Sequence, residues 1–113
     1  MIIIKATARV TADSLDSIVD EVNEIRTRSL KRPGVIGYDF FRQDDDHVII
    51  LEVYEDSDVL IAHMDAGGFD GLFKLIEMER IEIMGPASAE VRSRFAALEN
   101  AGMYPSLTEA REG

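Results

Sequence analysis

The 113-residue chain contains no cysteine and no tryptophan. The absence of cysteine excludes disulfides, thiolate metal sites and cysteine nucleophiles. No apolar run approaches the roughly 20 residues of a membrane-spanning helix. The apolar start, residues 1–4, meets Lys5 at once and is too short for the core of a signal peptide. These absences predict a cytoplasmic protein that has no membrane partner.

Basic residues are also scarce. Twelve Lys and Arg stand against 22 Asp and Glu, which gives a net charge of −10 at pH 7. A field of this sign repels a phosphate backbone, so the sequence predicts no nucleic-acid partner. The basic cluster in residues 26–32 falls at the end of a predicted helix, where cations suit the helix dipole. The length and the 46% hydrophobic content fit one globular domain.

The apolar periodicity predicts the order β-α-β-β-α-β. Period-two and β-branched segments predict strands over residues 2–10, 35–42, 47–54 and 80–85. Helical spacing predicts a first helix over residues 15–30, with Asp13 as its N-cap. A second helical region covers residues 59–64, after the caps of residues 56–58, and resumes with helical spacing from Phe69 to Ile76. The polar turn at residues 43–46 is short enough for a hairpin.

This order is the split βαβ arrangement of ferredoxin-like α+β folds, an antiparallel four-stranded sheet with helices on one face. Right-handed connections place the first strand beside the third and fourth. An extra C-terminal helix, with Ser88 as N-cap and an apolar stripe at Val91, Phe95 and Leu98, follows the fourth strand. We therefore predict a ferredoxin-like domain over 1–86, and a helix and tail over 87–113 that pack on the domain or on a dimer partner.

Both faces of the predicted sheet are apolar. The third strand alternates between two sets, with Val48, Ile50 and Tyr54 on one face and Ile49, Leu51 and Val53 on the other. The second strand alternates in the same way, with Ile36, Tyr38 and Phe40 against Val35 and Phe41. Two helices cover only one face, and monomers rarely expose a large apolar patch. The sequence predicts a homodimer that closes face to face; the alternative is that the C-terminal helix folds back over the second face.

Several short motifs follow one another along the chain. They are the turn Arg32-Pro33-Gly34-Val35, a strand ending Glu52-Val53-Tyr54-Glu55, a helix with Ala62-His63-Met64, the segment 69–73, and the segment 85–92 after the fourth strand. In order and spacing they resemble the antibiotic biosynthesis monooxygenase family, including its quinol monooxygenases. Tyr54 stands where the family has Trp, Val53 where it has Arg, and Gly68 where it has His.

The resemblance implies a dimeric α/β barrel and a cofactor-independent monooxygenase, with no cofactor and no metal. Its substrates would be O2 and a small electron-rich aromatic, a quinol or a hydroxylated polyketide. Such a reaction needs a base that deprotonates the substrate hydroxyl in a dry pocket. The haem-degrading branch uses an Asn, a Trp and a His that this sequence lacks at the matching places, which disfavours haem degradation. Two alternatives remain: a non-catalytic dimer that binds a small aromatic, and another small enzyme, such as an isomerase, on this fold.

His63 is the predicted base, because the pKa of histidine lies near neutrality. Tyr54 and Tyr38 are the predicted partners that orient a hydroxylated ring. Glu52 shares a face with Tyr54, and a carboxylate in an apolar strand needs a partner, for which Arg42 is available. A structural salt bridge beside two core tyrosines is an equally good interpretation of these residues.

The other candidate substrate-binding residues are apolar, namely Phe40, Phe69, Phe73 and Ile76. Core packing is the first interpretation of these side chains, and a pocket wall is the second. We interpret His47 and the acidic turn before it as a solvated loop without the spacing of a calcium site. The Gly67-Gly68 pair is interpreted as a flexible joint.

Overall fold

A computed structural model describes residues 1–69 and 71–108. Its elements are β1 (Ile2–Val10), α1 (Val19–Leu30), β2 (Val35–Arg42), β3 (His47–Tyr54), α2 (Ser57–Asp65), β4 (Ile76–Met84), α3 (Ala89–Ala96) and β5 (Ala101–Tyr104). Short 3-10 segments cover Asp16–Ile18 and Leu72–Lys74. The first three strands have the predicted bounds. The α+β ferredoxin-like order is confirmed, and the extra C-terminal helix follows it as α3.

The sheet has five strands in the order β2-β3-β1-β4-β5, and it is open within this chain. β1 pairs antiparallel with both β3 and β4, as predicted. The expected number of four strands is wrong, because β5 runs parallel to β4, with Ala101 opposite Ile81. The chain reaches that position through α3, a crossover of the kind that parallel strands require. Four residues that include a glycine give too short a pattern to reveal such a strand.

The helix starts follow the predicted caps in two of three cases. Asp56 accepts from the Val59 amide at 2.9 Å, and Ser88 accepts from the Val91 amide at 3.2 Å. The predicted Asp13 cap is wrong, because the segment starts with a 3-10 turn tied by Ser14 and Ser17. None of the helices in residues 1–69 and 71–108 combines the length and the apolar composition that crossing a bilayer requires.

The predicted helical region from Phe69 to Ile76 is mostly wrong. A 3-10 turn covers only Leu72–Lys74, and Ile76 already begins β4, opposite Val10. The predicted fourth strand, residues 80–85, is therefore only the second half of β4. Spacings of three and four residues between apolar side chains fit a helix, but they also fit a tight turn that leads into a strand. The periodicity therefore did not distinguish these two structures.

One face of the sheet is buried under the helices. Val48, Ile50 and Tyr54 share this face, as predicted. The predicted alternation of β2 is wrong, because Val35 pairs with Tyr54 while Gly37 pairs with Val53. Ile36 is therefore an extra residue in a β-bulge, and its side chain is 59% exposed. The bulge places Val35 and Tyr38 together on the buried face.

The opposite face, which we call the open face, is apolar near β3 and charged near β4. Ile49, Leu51 and Val53 are half-buried there. The alternative in which the C-terminal helix covers this face is wrong, because Val91 and Phe95 of α3 belong to the core on the other side. The homodimer stays a prediction, as does the division at residue 86. Residues 109–113 of the predicted tail lie outside the described residues.

Two glycines with nearly the same positive φ give a test of the packing around α2. Gly34 has φ +84° and Gly71 has φ +85°, values that L side chains rarely adopt. A Cβ at Gly34 would lie 2.5 Å from Cγ2 of Val59, whereas a Cβ at Gly71 meets no described atom within 4 Å. We expect Gly71→Ala to lower the free energy of unfolding by about 1 kcal/mol and Gly34→Ala by about 3 kcal/mol. Urea denaturation measures both, and equal losses would contradict the packing of Val59 against this turn.

Candidate functional site

Two polar side chains of β3 are buried beneath the helices. Glu52 is 3% exposed and Tyr54 is 0% exposed, and alternation places them on the same face. The Tyr54 hydroxyl donates a hydrogen bond to Oε1 of Glu52. Burial raises the pKa of Glu52 to about 7, and the hydrogen bond from Tyr54 offsets part of this rise. Near neutral pH this carboxyl therefore exists in both its protonated and its ionised form.

The two tyrosines at the site remain protonated at neutral pH. Tyr38 lies opposite Glu52 on the neighbouring strand. Burial, followed by the charge of Glu52, raises the pKa of both the Tyr38 and the Tyr54 hydroxyl above the ordinary value. The phenols can therefore donate hydrogen bonds, while Glu52 is the group at this site that can exchange a proton near pH 7.

His63 of α2 packs into the same cluster. Its side chain is 1% exposed, and its ring centroid lies 5.7 Å from that of Tyr38, 5.5 Å from that of Tyr54 and 5.3 Å from that of Phe69. Burial, followed by the charges of Arg32 and Arg28, lowers the pKa of His63 to about 4. The imidazole is therefore neutral at pH 7.

Gly68 contacts the His63 ring directly. A Cβ at this position would lie 2.3 Å from Nε2 of His63, and the Gly68 amide donates to the His63 carbonyl at 2.8 Å. Interpreting the glycine pair as a flexible joint therefore misses the reason for Gly68, which is the close approach of backbone to an aromatic ring. Any side chain at this position would displace the imidazole.

Five buried side-chain atoms of the described residues lack a hydrogen-bond partner. They are Ser29 Oγ, Arg32 Nε, Tyr38 Oη, and Nδ1 and Nε2 of His63. The Ser29 and Tyr38 hydroxyls are close enough to influence each other but do not reach hydrogen-bond geometry. An unpaired buried polar group costs about 1–3 kcal/mol. Such groups concentrate at functional sites, so this cluster marks the surroundings of Glu52 as a candidate site.

A cavity of about 250 Å³ lies between the sheet and the helices and reaches Glu52. We call it the Glu52 cavity. Most of its wall is apolar, formed by Ile4, Ala6, Met64, Phe69, Leu72, Phe73, Met78, Ile81, Phe95 and Leu98. Glu52 and Arg94 are its charged lining residues. An apolar space with a few fixed polar groups is the usual form of a small-molecule site.

The structure brings seven of the nine predicted site residues into one region. His63, Tyr54, Tyr38 and Glu52 form the polar cluster, the ring of Phe40 packs 5.7 Å from that of Tyr38, and Phe69 and Phe73 line the Glu52 cavity. The Phe73 side chain belongs to the wall, although it is 61% exposed.

The other two predicted residues lie elsewhere. Ile76 is a core residue at the start of β4, and Arg42 lines a separate cavity of about 220 Å³ between α1 and β2, to which Phe40 also contributes. The predicted pairing of Arg42 with Glu52 is wrong, because Arg42 pairs with Asp16 at 3.1 Å. In the β2–β3 register Arg42 stands opposite Val48, four residues from Glu52 and so about 13 Å along the strand.

Sequence reasoning missed the contribution of α3 to the cavity. Arg94, Phe95 and Leu98 line it together with Met64 and Met78. The stripe of Val91, Phe95 and Leu98 shows which side of α3 is apolar, but not which surface that side meets. Arg94 neighbours the stripe, and only the packing of α3 brings it to the cavity.

His47 takes part in a small ion-pair cluster at the β2–β3 turn. Its Nδ1 lies 2.9 Å from Asp44 and 2.7 Å from Asp46, and its Nε2 lies 3.0 Å from Glu79. The hydrogen bond to Asp44 is the main cause that raises the pKa of His47. Asp44, Asp46 and His47 hold their potential ligand atoms within 4.8 Å of one another, but exposed acidic groups are common without a metal.

The fold is an α+β domain with an open sheet, and its candidate site is a buried carboxyl at an apolar cavity. The chain belongs to the antibiotic biosynthesis monooxygenase family, whose model matches residues 1–74.

Known structures share the fold. MupZ from Pseudomonas fluorescens is 17% identical, with a TM-score of 0.77 over 98% of this chain and 93% of that protein. A conserved protein of unknown function from Bacteroides thetaiotaomicron is 27% identical, with a TM-score of 0.62 over 73% of this chain and 93% of that one. An antibiotic biosynthesis monooxygenase is 19% identical, with a TM-score of 0.64 over 78% of this chain and all of that one. A comparison with curated proteins finds no significant match.

Glu52 and His63 should change the stability of the protein in opposite directions with pH. The pKa of Glu52 is raised from 4.5 to about 7. Its contribution to the free energy of unfolding is therefore complete below pH 4.5 and is lost as the pH rises through 7. The pKa of His63 is lowered from 6.5 to about 4, so its contribution is complete above pH 6.5 and is lost as the pH falls through 4. Between pH 4.5 and 6.5 the two slopes oppose each other.

We therefore expect Glu52→Gln to gain stability relative to the wild type as the pH rises from 5 to 8. His63→Gln should lose stability relative to the wild type over the same range, because it lacks the histidine contribution. Urea denaturation midpoints at pH 5, 6, 7 and 8 give both differences. Variant curves that run parallel to the wild-type curve would show that neither group titrates as its burial requires.

Proposed function

We propose that this protein is a cofactor-independent monooxygenase that oxidises a small, electron-rich aromatic bearing a hydroxyl group. The observation that carries the proposal is the buried carboxyl of Glu52, which has a pKa of about 7 and lines an apolar cavity. Membership of the antibiotic biosynthesis monooxygenase family supports the reaction class. The substrate class is the one that the resemblance to this family implies, and an apolar cavity with a base beside it is compatible with that class.

In the proposed reaction Glu52 is the general base. The substrate O–H bond breaks, and its proton moves to the carboxylate of Glu52. The resulting anion gives one electron to O2, and the aryloxyl radical and superoxide combine through a new C–O bond to form a peroxide anion, which takes the proton back from Glu52. The O–O bond and the C–H bond at the same carbon then break, so that water leaves and one oxygen atom remains in the product as a carbonyl. The substrate supplies all four electrons that reduce O2.

Glu52 is a better base than His63, the base predicted from the sequence. His63 is buried, its pKa of about 4 makes it a weak proton acceptor at pH 7, and it is not a lining residue of the Glu52 cavity. A catalytic base works best when its pKa lies near the working pH. We assign His63 the part of a positioning residue, whose ring holds Tyr38 and Tyr54 against Glu52.

Tyr54 and the phenylalanines complete the proposed site. The hydroxyl of Tyr54 donates to Glu52 and so stabilises its ionised form. Phe69 and Phe73, whose rings lie 6.5 Å apart, offer aromatic surface to a substrate ring. The volume of about 250 Å³ is below the usual range for drug-sized ligands, about 300–1,000 Å³, which favours a substrate of two or three fused rings.

Oxygen uptake tests the reaction. Purified protein with a reduced naphthoquinol or an anthrone should consume O2 faster than the spontaneous rate, and Glu52→Gln should lower kcat by about 100-fold or more because the base is lost. The rate of the wild type should rise with pH through about 7, since the carboxylate is the active form. An oxygen electrode gives both quantities.

Tyr54→Phe provides the matched control. It removes the hydrogen bond that lowers the pKa of Glu52, so the midpoint of the pH–rate profile should move to higher pH while activity is retained. An uptake rate equal to the spontaneous one for every hydroquinone and anthrone would refute the proposal. Binding of these compounds without uptake would instead support the non-catalytic binding dimer.

The functional unit in this proposal is a homodimer that pairs two open faces into an α/β barrel. Ile49, Leu51 and Val53 form an apolar stripe there, and Ile36 and Phe41 beside it are 59% and 48% exposed. An apolar face of this kind is usually covered by a partner, most often a second copy in C2 symmetry.

Light scattering should report about twice the chain mass of 12.6 kDa. Leu51→Lys places a charge in the middle of the apolar stripe and should shift the protein to a monomer. Val19→Lys is the matched control, because Val19 is 47% exposed on α1, away from the open face. A wild-type monomer, or equal effects of the two substitutions, would contradict the proposed interface.

A further inference from the structure

The wall of the Glu52 cavity includes a part of the chain that the family match does not reach. The match ends at residue 74, whereas Arg94, Phe95 and Leu98 belong to α3 and the turn after it. Phe95 is 5% exposed and anchors α3 on the core. A wall supplied by a segment outside the family region is a natural place for features that select a particular substrate.

Arg94 is the cationic lining residue of this cavity, and its guanidinium is held in place. Nη1 donates to Oδ1 of Asp65 at 2.8 Å, Nη2 donates to Oδ2 of Asp65 at 3.4 Å, and Glu90 lies 3.6 Å from Nη2. The carboxylate side chains are 60% and 57% exposed, while that of Arg94 is 30% exposed. The two acids are therefore more exposed to solvent than the arginine that they hold.

A guanidinium in this position can bind a further anion. Arginine has five N–H donors in a planar fork, and Asp65 takes two of them. A hydrogen bond between charged groups is stronger than one between neutral groups, and an apolar wall beside it adds to that strength. The net charge of −10 repels anions at long range, but salt screens that repulsion beyond about 10 Å. Asp65 and Glu90 already balance the charge of Arg94, so an anion would be recognised through the guanidinium N–H donors that Asp65 does not use.

We propose that Arg94 binds a carboxylate carried by the substrate, so that the Glu52 cavity selects hydroxylated aromatic acids over neutral hydroxylated aromatics. This inference rests on the proposed function in one respect, because it takes the Glu52 cavity to be the substrate-binding site. The two charged lining residues then receive the two polar ends of one ligand. Glu52 takes the hydroxyl proton, Arg94 holds the acid group, and the apolar wall contacts the rings between them.

The test compares the binding of 6-hydroxy-2-naphthoate, which carries its hydroxyl and its carboxylate at opposite ends of the ring system, with that of 2-naphthol. Both are measured by fluorescence titration without O2, so that no turnover is needed. The wild type should bind the acid about tenfold more tightly than the neutral probe, the size expected for one charge-assisted contact. Arg94→Gln should bring the ratio of the two affinities close to one. Circular dichroism and thermal melting confirm that the variant is folded.

Arg92→Gln is the charge-matched control. Arg92 lies on the same helix, donates to the Ala87 carbonyl at 2.9 Å and lines a different cavity, so the ratio should stay at the wild-type value. Equal affinity of the wild type for both probes, equal loss of preference in the two variants, or binding of neither probe would overturn the proposal. A preference that depends on Arg94 would stand even if oxygen uptake were absent, which separates this inference from the monooxygenase proposal.

Discussion

The hydrogen bond between Tyr54 and Glu52 is the interaction on which the site depends. A carboxyl group buried in a sheet core is unfavourable unless a partner satisfies it, and Tyr54 is the partner two residues away on the same face. That bond places both polar groups under the helices and sets which residues of β3 face outward. Tyr38 then lies opposite Glu52 in the β2–β3 register, where burial, followed by the charge of Glu52, raises the pKa of its hydroxyl and keeps it protonated.

The helices fill the space above this pair incompletely. His63 is packed by rings and by the backbone of Gly68, but its nitrogens and the Tyr38 hydroxyl have no hydrogen-bond partner. Each such group lowers the stability of the fold, so the unpaired atoms of His63 and Tyr38 are a local loss of stability beside Glu52. Active sites characteristically retain such unfavourable arrangements.

The sequence predicted the first three strands and the shared face of Val48, Ile50 and Tyr54, because β-branched residues and a polar turn give strong local signals. It did not predict the bulge at Ile36, since an extra residue leaves no mark on composition but reverses the alternation before it. The predicted partner of Glu52 is wrong because strand register, like a bulge, cannot be seen in the composition of the strands. A salt bridge to Arg42 is chemically reasonable, and only the register shows that Arg42 is too far away. The α3 wall depends on how a helix docks, which its own apolar stripe does not specify.

Leu51 and Glu52 are neighbours in β3, and they face opposite sides of the sheet. One side holds the carboxyl of the proposed base, and the other is the apolar surface of the proposed interface. Because side chains alternate with a period of two, shifting β3 by one residue would expose the carboxyl and bury the interface. The same pleat therefore fixes both surfaces, and a partner on the open face would resist any slip of the strand that positions Glu52. Pairing and chemistry thus constrain the same eight residues, His47–Tyr54, from opposite sides.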